Sequence, residues 1–313
     1  MRSIAAAEVE RVLDFPSLVD RLQRMFQEGC EVPPRHHHAI DVPDAAKAML
    51  LLMPAWQVGR HIGIKLVTVF PDNAGRSLPS VMGTYFLLDG KTGRPEALID
   101  GPMLTLRRTA AASALAARFL AREDAKSMLM VGTGALAPHL IEAHASVRAI
   151  REVTVWGRDF AKAEALARRL SRPGLAVGAA ADLAAAVGAA DVISCATLSK
   201  TPLIRGAWLK PGQHLDLVGA YTPEMREADD AAVSRSTVWV DTKAGALKEA
   251  GDVVQPIRSG VLAETAIAGD LFGLCRGEAK KRSRPEEITF FKSVGTALED
   301  LAAAELVAER VAA

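Results

Sequence analysis

Apolar positions along the chain change period twice. Pro16–Phe26 places Leu18, Leu22, Met25 and Phe26 at helical spacing. Short apolar runs follow, broken by turn residues. They are Ile62–Val69, a turn at Pro71-Asp72-Asn73-Ala74-Gly75, Val81–Leu88, a turn at Asp89-Gly90-Lys91-Thr92-Gly93, and Ala97–Ile99. This pattern predicts an antiparallel meander carrying a helix. Thr109–Ala121 reads as an alanine-rich helix with Thr109 as its N-cap.

From there strand and helix alternate. Met128–Val131, Val153–Trp156, Leu175–Val177, Asp191–Ala196, His214–Val218 and Val238–Val240 read as strands. Ala135–Ala145, Phe160–Leu170 and Asp182–Val187 read as helices between them. Such alternation predicts a parallel sheet with helices on both faces, over residues 114–286. A last helix, Gly295–Val311, lines up Leu298, Leu301, Ala302, Leu306 and Val307. That stripe is too apolar to stand alone and should pack back across residues 1–113.

Composition narrows the function. Of 313 residues, 50% are hydrophobic and 24% charged, which excludes a mainly disordered chain. Lys+Arg is 38 and Asp+Glu 37, a balance that argues against nucleic acid as the partner. Cys30, Cys195 and Cys275 have neither zinc spacing nor a disulfide framework, which fits a reducing compartment. Met1–Glu10 has no apolar core of a signal peptide. The uncharged stretches Ser127–Ile141 and Ala48–Gly59 fall short of the ~20 residues that span a bilayer. A cytoplasmic protein without membrane contact is expected.

Met128–Val131 runs directly into Gly132-Thr133-Gly134-Ala135-Leu136-Ala137, a G-x-G-x-x-A turn between strand and helix. Gly132 allows a tight turn, Gly134 lets backbone approach a pyrophosphate, and Ala137 lets helix and strand pack. The free N–H groups of the helix start then hold the phosphates. At the end of the second strand, an NAD site usually presents an acid to the ribose. This chain has Gly157-Arg158-Asp159. Gly157 removes carboxylate repulsion and Arg158 can grip a 2′-phosphate. NADP(H) is therefore preferred, with NAD(H) as the other candidate if Asp159 serves a ribose.

Candidate substrate groups lie elsewhere. By spacing alone, Arg107-Arg108 reads as a solvated surface pair. Lys65 sits in an apolar strand, where it either snorkels from an edge or is held in a site. Arg35 precedes His36-His37-His38, which reads as a surface loop rather than a metal site, since neighbours on an extended segment point opposite ways. Ser293 either caps the last helix or reaches a cofactor. Cys195 reads as a small apolar strand-end residue.

Five motifs then occur in order. They are Gly63-Ile64-Lys65-Leu66-Val67-Thr68-Val69-Phe70-Pro71-Asp72-Asn73, Arg108-Thr109-Ala110-Ala111-Ala112-Ser113, and Gly132-Thr133-Gly134. Next come Val218-Gly219-Ala220 with Arg226-Glu227-Ala228-Asp229, and finally Phe291-Lys292-Ser293-Val294-Gly295. Together they resemble the ornithine cyclodeaminase/μ-crystallin family over nearly the whole chain, closest to its ketimine reductase branch. The resemblance implies a homodimer. It implies a Rossmann-type doubly wound domain, 114–286, inserted in an α+β substrate and dimerisation domain, 1–113, completed by 287–313. Arg35, Lys65 and Arg108 would line the substrate pocket, with Arg108 at the substrate carboxylate and Lys65 orienting the substrate or relaying a proton. Cofactor contacts would come from Thr84, Arg108, Gly132, Thr133, Gly134, Ala135, Gly157, Arg158, Asp159, Thr197, Val218 and Ser293.

One departure separates the activities this family implies. Ornithine cyclodeaminases use an Asp for acid/base work where this chain has Tyr221. A phenol, with its pKa of about 10, is a poor substitute for a carboxylate base. The expected activity is thus NAD(P)H-dependent reduction of Δ1-pyrroline-2-carboxylate or Δ1-piperideine-2-carboxylate to L-proline or L-pipecolate. The alternatives are ornithine cyclodeaminase, an alanine-dehydrogenase-like enzyme, and a non-enzymatic NADPH-dependent ligand binder.

Overall fold

A computed structural model describes residues 1–312. Its chain divides into two units. Unit 1 is Met1–Thr109 with the segment from Thr296 onward, and unit 2 is Ala110–Gly295.

Unit 1 opens with β1 (Arg2–Ile4), α1 (Ala6–Val12) and α2 (Phe15–Glu28). Asp14 caps α2 by accepting from Ser17 N, and Pro16 sits in the first turn where its missing N–H costs nothing. Leu18, Leu22, Met25 and Phe26 are buried along one face, each stabilising the unit by about 1.5–3 kcal/mol. The strands β2 (His36–Ile40), β3 (Ala48–Trp56), β4 (His61–Val69), β5 (Val81–Asp89) and β6 (Pro95–Asp100) form an antiparallel meander. Strand β1 adds in parallel beside β6. Asp89 builds the β5–β6 turn by accepting from Lys91 N, Thr92 N and Thr92 Oγ1. The C-terminal helix, Ala297–Ala312, lies against α2, β3 and β4.

Three expectations change here. The histidine run is not a loop: His36–Ile40 is an exposed edge strand in register with Ala48–Leu52. Ladder hydrogen bonds ask only for extended backbone, so polar side chains do not prevent pairing. The alanine-rich helix starts before Thr109. It is α3 (Gly101–Leu120), with Pro102 in its first turn and Asp100 accepting from Met103 N, so Thr109 lies inside it. The end of the first unit also moves, from 113 to Thr109.

Unit 2 contains β7 (Ser127–Val131), α4 (Leu136–Val147), β8 (Glu152–Trp156), α5 (Phe160–Leu170), β9 (Ala176–Ala179) and α6 (Leu183–Ala189). It continues with β10 (Val192–Cys195), β11 (His214–Leu217), α7 (Asp230–Ser234), β12 (Thr237–Val240), α8 (Lys243–Glu249) and α9 (Gly251–Arg258). It ends with β13 (Ile267–Asp270), α10 (Leu271–Arg276) and β14 (Thr289–Lys292). Among the described residues these strands form one parallel sheet, in the order β13-β12-β14-β11-β10-β7-β8-β9. The chain winds outward from β7 to β9, then returns to place β10 on the other side of β7. That reversal is the topological switch point of a doubly wound fold.

The boundary expected at 287 is corrected to Thr296. Strand β14, expected in the outer domain, inserts between β11 and β12. Its four residues are all buried. A run this short ending in lysine carries no clear period, so pattern alone did not disclose it.

The core of unit 2 includes a polar tie. His144 Nε2 on α4 lies 3.1 Å from Asp216 Oδ2 on β11, and Ser194 Oγ on β10 donates to the same oxygen at 2.6 Å. Burial alone would raise Asp216, but the His144 and Ser194 bonds hold its carboxyl below the ordinary value. No helix among the described residues is long and apolar enough to cross a membrane.

Asp216→Ala strips His144 and Ser194 of their shared acceptor. It should lower stability by about 3 kcal/mol near neutral pH, read as a lower urea midpoint at unchanged slope. Because Asp216 is depressed, this contribution should shrink as pH falls through the carboxylate range.

Candidate active site

In unit 1, four charged side chains meet inside the protein. Lys65 projects from β4 and is 3% exposed, and Arg108 projects from α3 and is 6% exposed. Glu299 and Asp300 come from the C-terminal helix and are fully buried. Lys65 Nζ lies 2.7 Å from Asp300 Oδ2. Arg108 Nε donates to Asp300 Oδ1 at 2.9 Å, and Arg108 Nη1 donates to Glu299 Oε2 at 2.7 Å. One carboxylate, Asp300, thus bridges both cations.

The arginine pair is therefore not a solvated surface pair. Residues 107 and 108 lie on adjacent helix positions inside unit 1, and both are buried. Arg107 Nε donates to the Leu13 carbonyl at 3.0 Å, and its guanidinium sits 3.8 Å over the Phe15 ring. Arg107 thus packs the unit together, while Arg108 joins the charge cluster. Between the two readings left open for Lys65, the structure holds it inside rather than letting it snorkel.

Burial is the largest influence on Lys65 and lowers its ammonium to about 8. Asp300 pulls back upward, while Arg108 and Arg35 push further down. Arg35 is half-buried and close enough for its charge to act on Lys65. Tyr85 stands opposite Lys65 in the β4–β5 register, its hydroxyl buried with no hydrogen-bond partner among the described residues. Burial, reinforced by Asp300 and Glu305, raises that phenol well above its ordinary value.

The charge balance is informative. Lys65 and Arg108 offset Glu299 and Asp300, and the half-buried Arg35 acts on Lys65 from nearby. Ionised groups this deep are costly to desolvate and survive only when paired. Guanidinium groups beside a buried ammonium suit a carboxylate ligand.

Glu299 and Asp300 were not singled out in the sequence. Their signal is two consecutive acids between Leu298 and Leu301, on the stripe where helical spacing asks for apolar residues.

In unit 2, the turn after β7 is built for close approach. Gly132 has φ +124°, and a Cβ there would lie 2.6 Å from the Ala196 carbonyl oxygen. A Cβ at Gly134 would meet nothing within 4 Å. Gly132 and Thr133 line a cavity of about 520 Å³ together with Gly157, Arg158, Asp159 and Thr197. Its mouth lies at the carboxyl ends of β7, β8 and β10, the switch-point crevice where open α/β sheets take nucleotides. Bare turn backbone and a roomy crevice fit a dinucleotide.

Other candidate residues divide. Gly157 has a steric reason to be glycine, since its Cβ would lie 2.8 Å from Thr133 Cγ2. Arg158 is exposed at the cavity. Asp159 caps α5, accepting from Lys162 N at 3.2 Å, which accounts for its presence without a ribose. Gly134, Ala135, Val218 and Ser293 are not among the described residues lining the cavity. Ser293 does not cap the last helix, which begins at Ala297; Thr296 Oγ1 accepts from Leu298 N there, at 3.4 Å. Thr84 lies on β5 in unit 1, paired with Leu66 and Asp100. Tyr221 is 50% exposed, and Cys195 is buried, which pushes its thiol well up. No metal-binding group of three or more His, Cys, Asp or Glu exists among the described residues.

The sequence profile of the ornithine cyclodeaminase/mu-crystallin family matches residues 3–313. The Δ1-pyrroline-2-carboxylate reductase of Colwellia psychrerythraea is 37% identical over 317 residues, covering 100% of both chains. The structure of Thermococcus litoralis Δ1-pyrroline-2-carboxylate reductase, in complex with NADH and L-proline, superposes with a TM-score of 0.91 at 31% identity. That match covers 100% of this chain and 98% of the other. An archaeal alanine dehydrogenase dimer with bound NAD gives 0.90 at 26% identity, covering 100% and 96%.

Asp300→Asn removes the carboxylate nearest Lys65 and leaves Arg108 beside it. The Lys65 ammonium should then titrate at least ~1 pH unit lower. Nitrogen-15 NMR of the lysine side chains, with Lys65→Met for assignment, reads the shift without any turnover.

Proposed function

Because the chain belongs to the ornithine cyclodeaminase/mu-crystallin family, we propose that it is an NAD(P)H-dependent reductase of cyclic imino acids. Its substrates are Δ1-pyrroline-2-carboxylate or Δ1-piperideine-2-carboxylate, and its products L-proline or L-pipecolate. The observation that carries this reading is the buried Lys65–Asp300–Arg108 bridge, with the charge of Arg35 acting on Lys65. It offers a carboxylate seat and a titratable ammonium in one cluster, which is what a cyclic imine with an adjacent carboxylate needs.

Bound NAD(P)H supplies a hydride to the C=N carbon. The chain must fix the substrate carboxylate and deliver one proton to nitrogen. Arg108 and Arg35 supply the charge for the carboxylate. Asp300 and Glu299 hold the Arg108 guanidinium in a fixed orientation before substrate arrives. Lys65 supplies the proton, since an ammonium lowered to about 8 gives one up far more readily than a solvated lysine. Tyr221, half-exposed, offers no carboxylate base, which speaks for reduction over ornithine deamination.

The same proposal assigns the cofactor crevice to unit 2, with NADPH preferred over NADH. Arg158 at the cavity supports a 2′-phosphate contact. Gly157 is less telling, because a Cβ there would also crowd the Thr133 methyl. A homodimer is also proposed, supported by exposed Ile40, Val81 and Met82 on the meander of unit 1. Its proposed location is the cytoplasm.

Loss of absorbance at 340 nm with NADPH and Δ1-piperideine-2-carboxylate is the expected result, with no proline or ammonia from L-ornithine and NAD. Proline and ammonia from ornithine would instead establish a cyclodeaminase. Arg108→Ala should lower kcat/KM by at least ~100-fold while coenzyme affinity holds; unchanged turnover removes Arg108 from the site. Activity should fall as pH rises through about 8, where Lys65 loses its proton. Arg158→Ala should weaken NADPH by about tenfold and NADH hardly at all; equal losses overturn the phosphate contact.

A further inference from the structure

We infer that Glu227 is the positioning residue of the dinucleotide crevice: its buried carboxylate locks the loops after β10 and β11 into one conformation, making coenzyme affinity depend on its ionisation. The inference rests on the dinucleotide-binding part of the proposal and not on the identity of the substrate.

Glu227 has no solvent exposure. Its Oε1 accepts from Thr197 N at 2.7 Å and from Thr197 Oγ1 at 2.8 Å. Its Oε2 accepts from Gly219 N at 2.8 Å and from Ala220 N at 3.3 Å. Thr197 follows β10 and lines the crevice, and Gly219-Ala220 follow β11. One side chain therefore ties together two loops at the carboxyl edge of the sheet. The fit is tight. A Cβ at Gly219 would lie 2.0 Å from Thr197 O and 2.6 Å from Glu227 Oε1. With no slack between the loops, the carboxylate decides their spacing.

An ionised carboxylate accepts from all these donors, whereas a protonated one turns one oxygen into a donor, toward the Thr197 hydroxyl, and accepts more weakly from the backbone N–H groups. Its own backbone is pinned too. Asp252 Oδ1 on α9 accepts from Glu227 N at 2.8 Å and from Ala228 N at 3.0 Å. Asp252 Oδ2 lies 3.5 Å from Lys292 Nζ on β14, and both residues are fully buried. Lys292 is thus the buried cation near two buried acids. Burial, helped by Asp252, raises Glu227 to about 7 against the downward pull of Lys292 and the Thr197 donors. Other ionisable groups lie nearby. Cys195 on β10 is held protonated by burial, and Asp216 on β11 is held ionised by His144 and Ser194. Asp241, which follows β12, is raised by burial although it accepts from Val294 N and Gly295 N.

Since Glu227 is raised, its ionised form gains as pH rises through about 7, and coenzyme affinity should gain with it. NADH is the probe, because it lacks the 2′-phosphate whose own titration would confuse the profile. Its affinity is measured by fluorescence from about pH 5.5 to about pH 8.5 in the full chain. The wild type should bind more tightly through an inflection near 7. Glu227→Gln cannot accept with both ends, so it should bind about tenfold more weakly at high pH and show no inflection. Asp252→Asn keeps the two backbone bonds through its oxygen and removes the like charge. It should retain binding and move the inflection to lower pH, which keeps the test alive if Glu227→Gln fails to fold. A flat wild-type profile, a Glu227→Gln profile like wild type, or an inflection unmoved in Asp252→Asn overturns the role of Glu227. Failure of the wild type to bind either NADH or NADPH at any pH overturns the dinucleotide reading itself.

Discussion

Asp300 is the group on which unit 1 depends. Its carboxylate meets Lys65 from a strand and Arg108 from a helix, and it arrives on a third element, the last helix. None of these charges tolerates burial alone. An unpaired cation or acid at this depth would cost several kcal/mol and would draw in water or change its protonation state. The strand, the helix and the last helix must therefore arrive together. A purely apolar contact would allow the last helix to slide by a turn with modest loss. Paired charges do not, because every wrong register strands an ion. The long return of the chain to this unit makes sense on these grounds.

That constraint also explains what the cluster can do. Here the cluster keeps Lys65 near the point where it can exchange a proton. Burial and two arginines weaken the ammonium, while Asp300 stops it from losing its proton outright. A lysine left in water would hold its proton too firmly to donate well at neutral pH. A lysine buried without Asp300 would hold its proton less firmly still. The useful state lies between these extremes, and the carboxylate sets it.

Much of the architecture was legible in the sequence, for reasons that particular elements make plain. Helix α2 announced itself through Leu18, Leu22, Met25 and Phe26, and β7 with its glycine turn through an apolar run ending at Gly132. These features are local: period, cap and φ are properties of neighbouring residues. The elements that were missed depend on distant partners. Strand β2 exists because β3 offers it a ladder, whatever its side chains. Strand β14 is four residues between two others, recognisable only once the sheet is assembled. The same division runs through the site. Lys65 and Arg108 could be singled out, but their burial could not, because the carboxylates that make it tolerable lie far along the chain, about 190 residues from Arg108 and more from Lys65. Spacing along a chain says nothing about a pairing of that range.

Both units follow one chemical logic, each within itself. A carboxylate buried on one element fixes groups on two others: Asp300 gathers two cations, and Glu227 gathers backbone and hydroxyl donors. Sites need atoms placed to within a fraction of an ångström, and apolar packing is non-directional. Hydrogen bonds to a buried carboxylate are directional, and charge makes them strong. Such an acceptor is worth most where it is hardest to keep ionised. Both carboxylates meet that difficulty with cations, Lys65 and Arg108 in one case and Lys292 in the other. Asp300 is held below its ordinary value, with burial opposing and both cations prevailing. Glu227 shares its single cation with Asp252 and is left raised. Cation supply therefore makes one carboxylate a permanent brace and the other a brace that neutral pH can loosen.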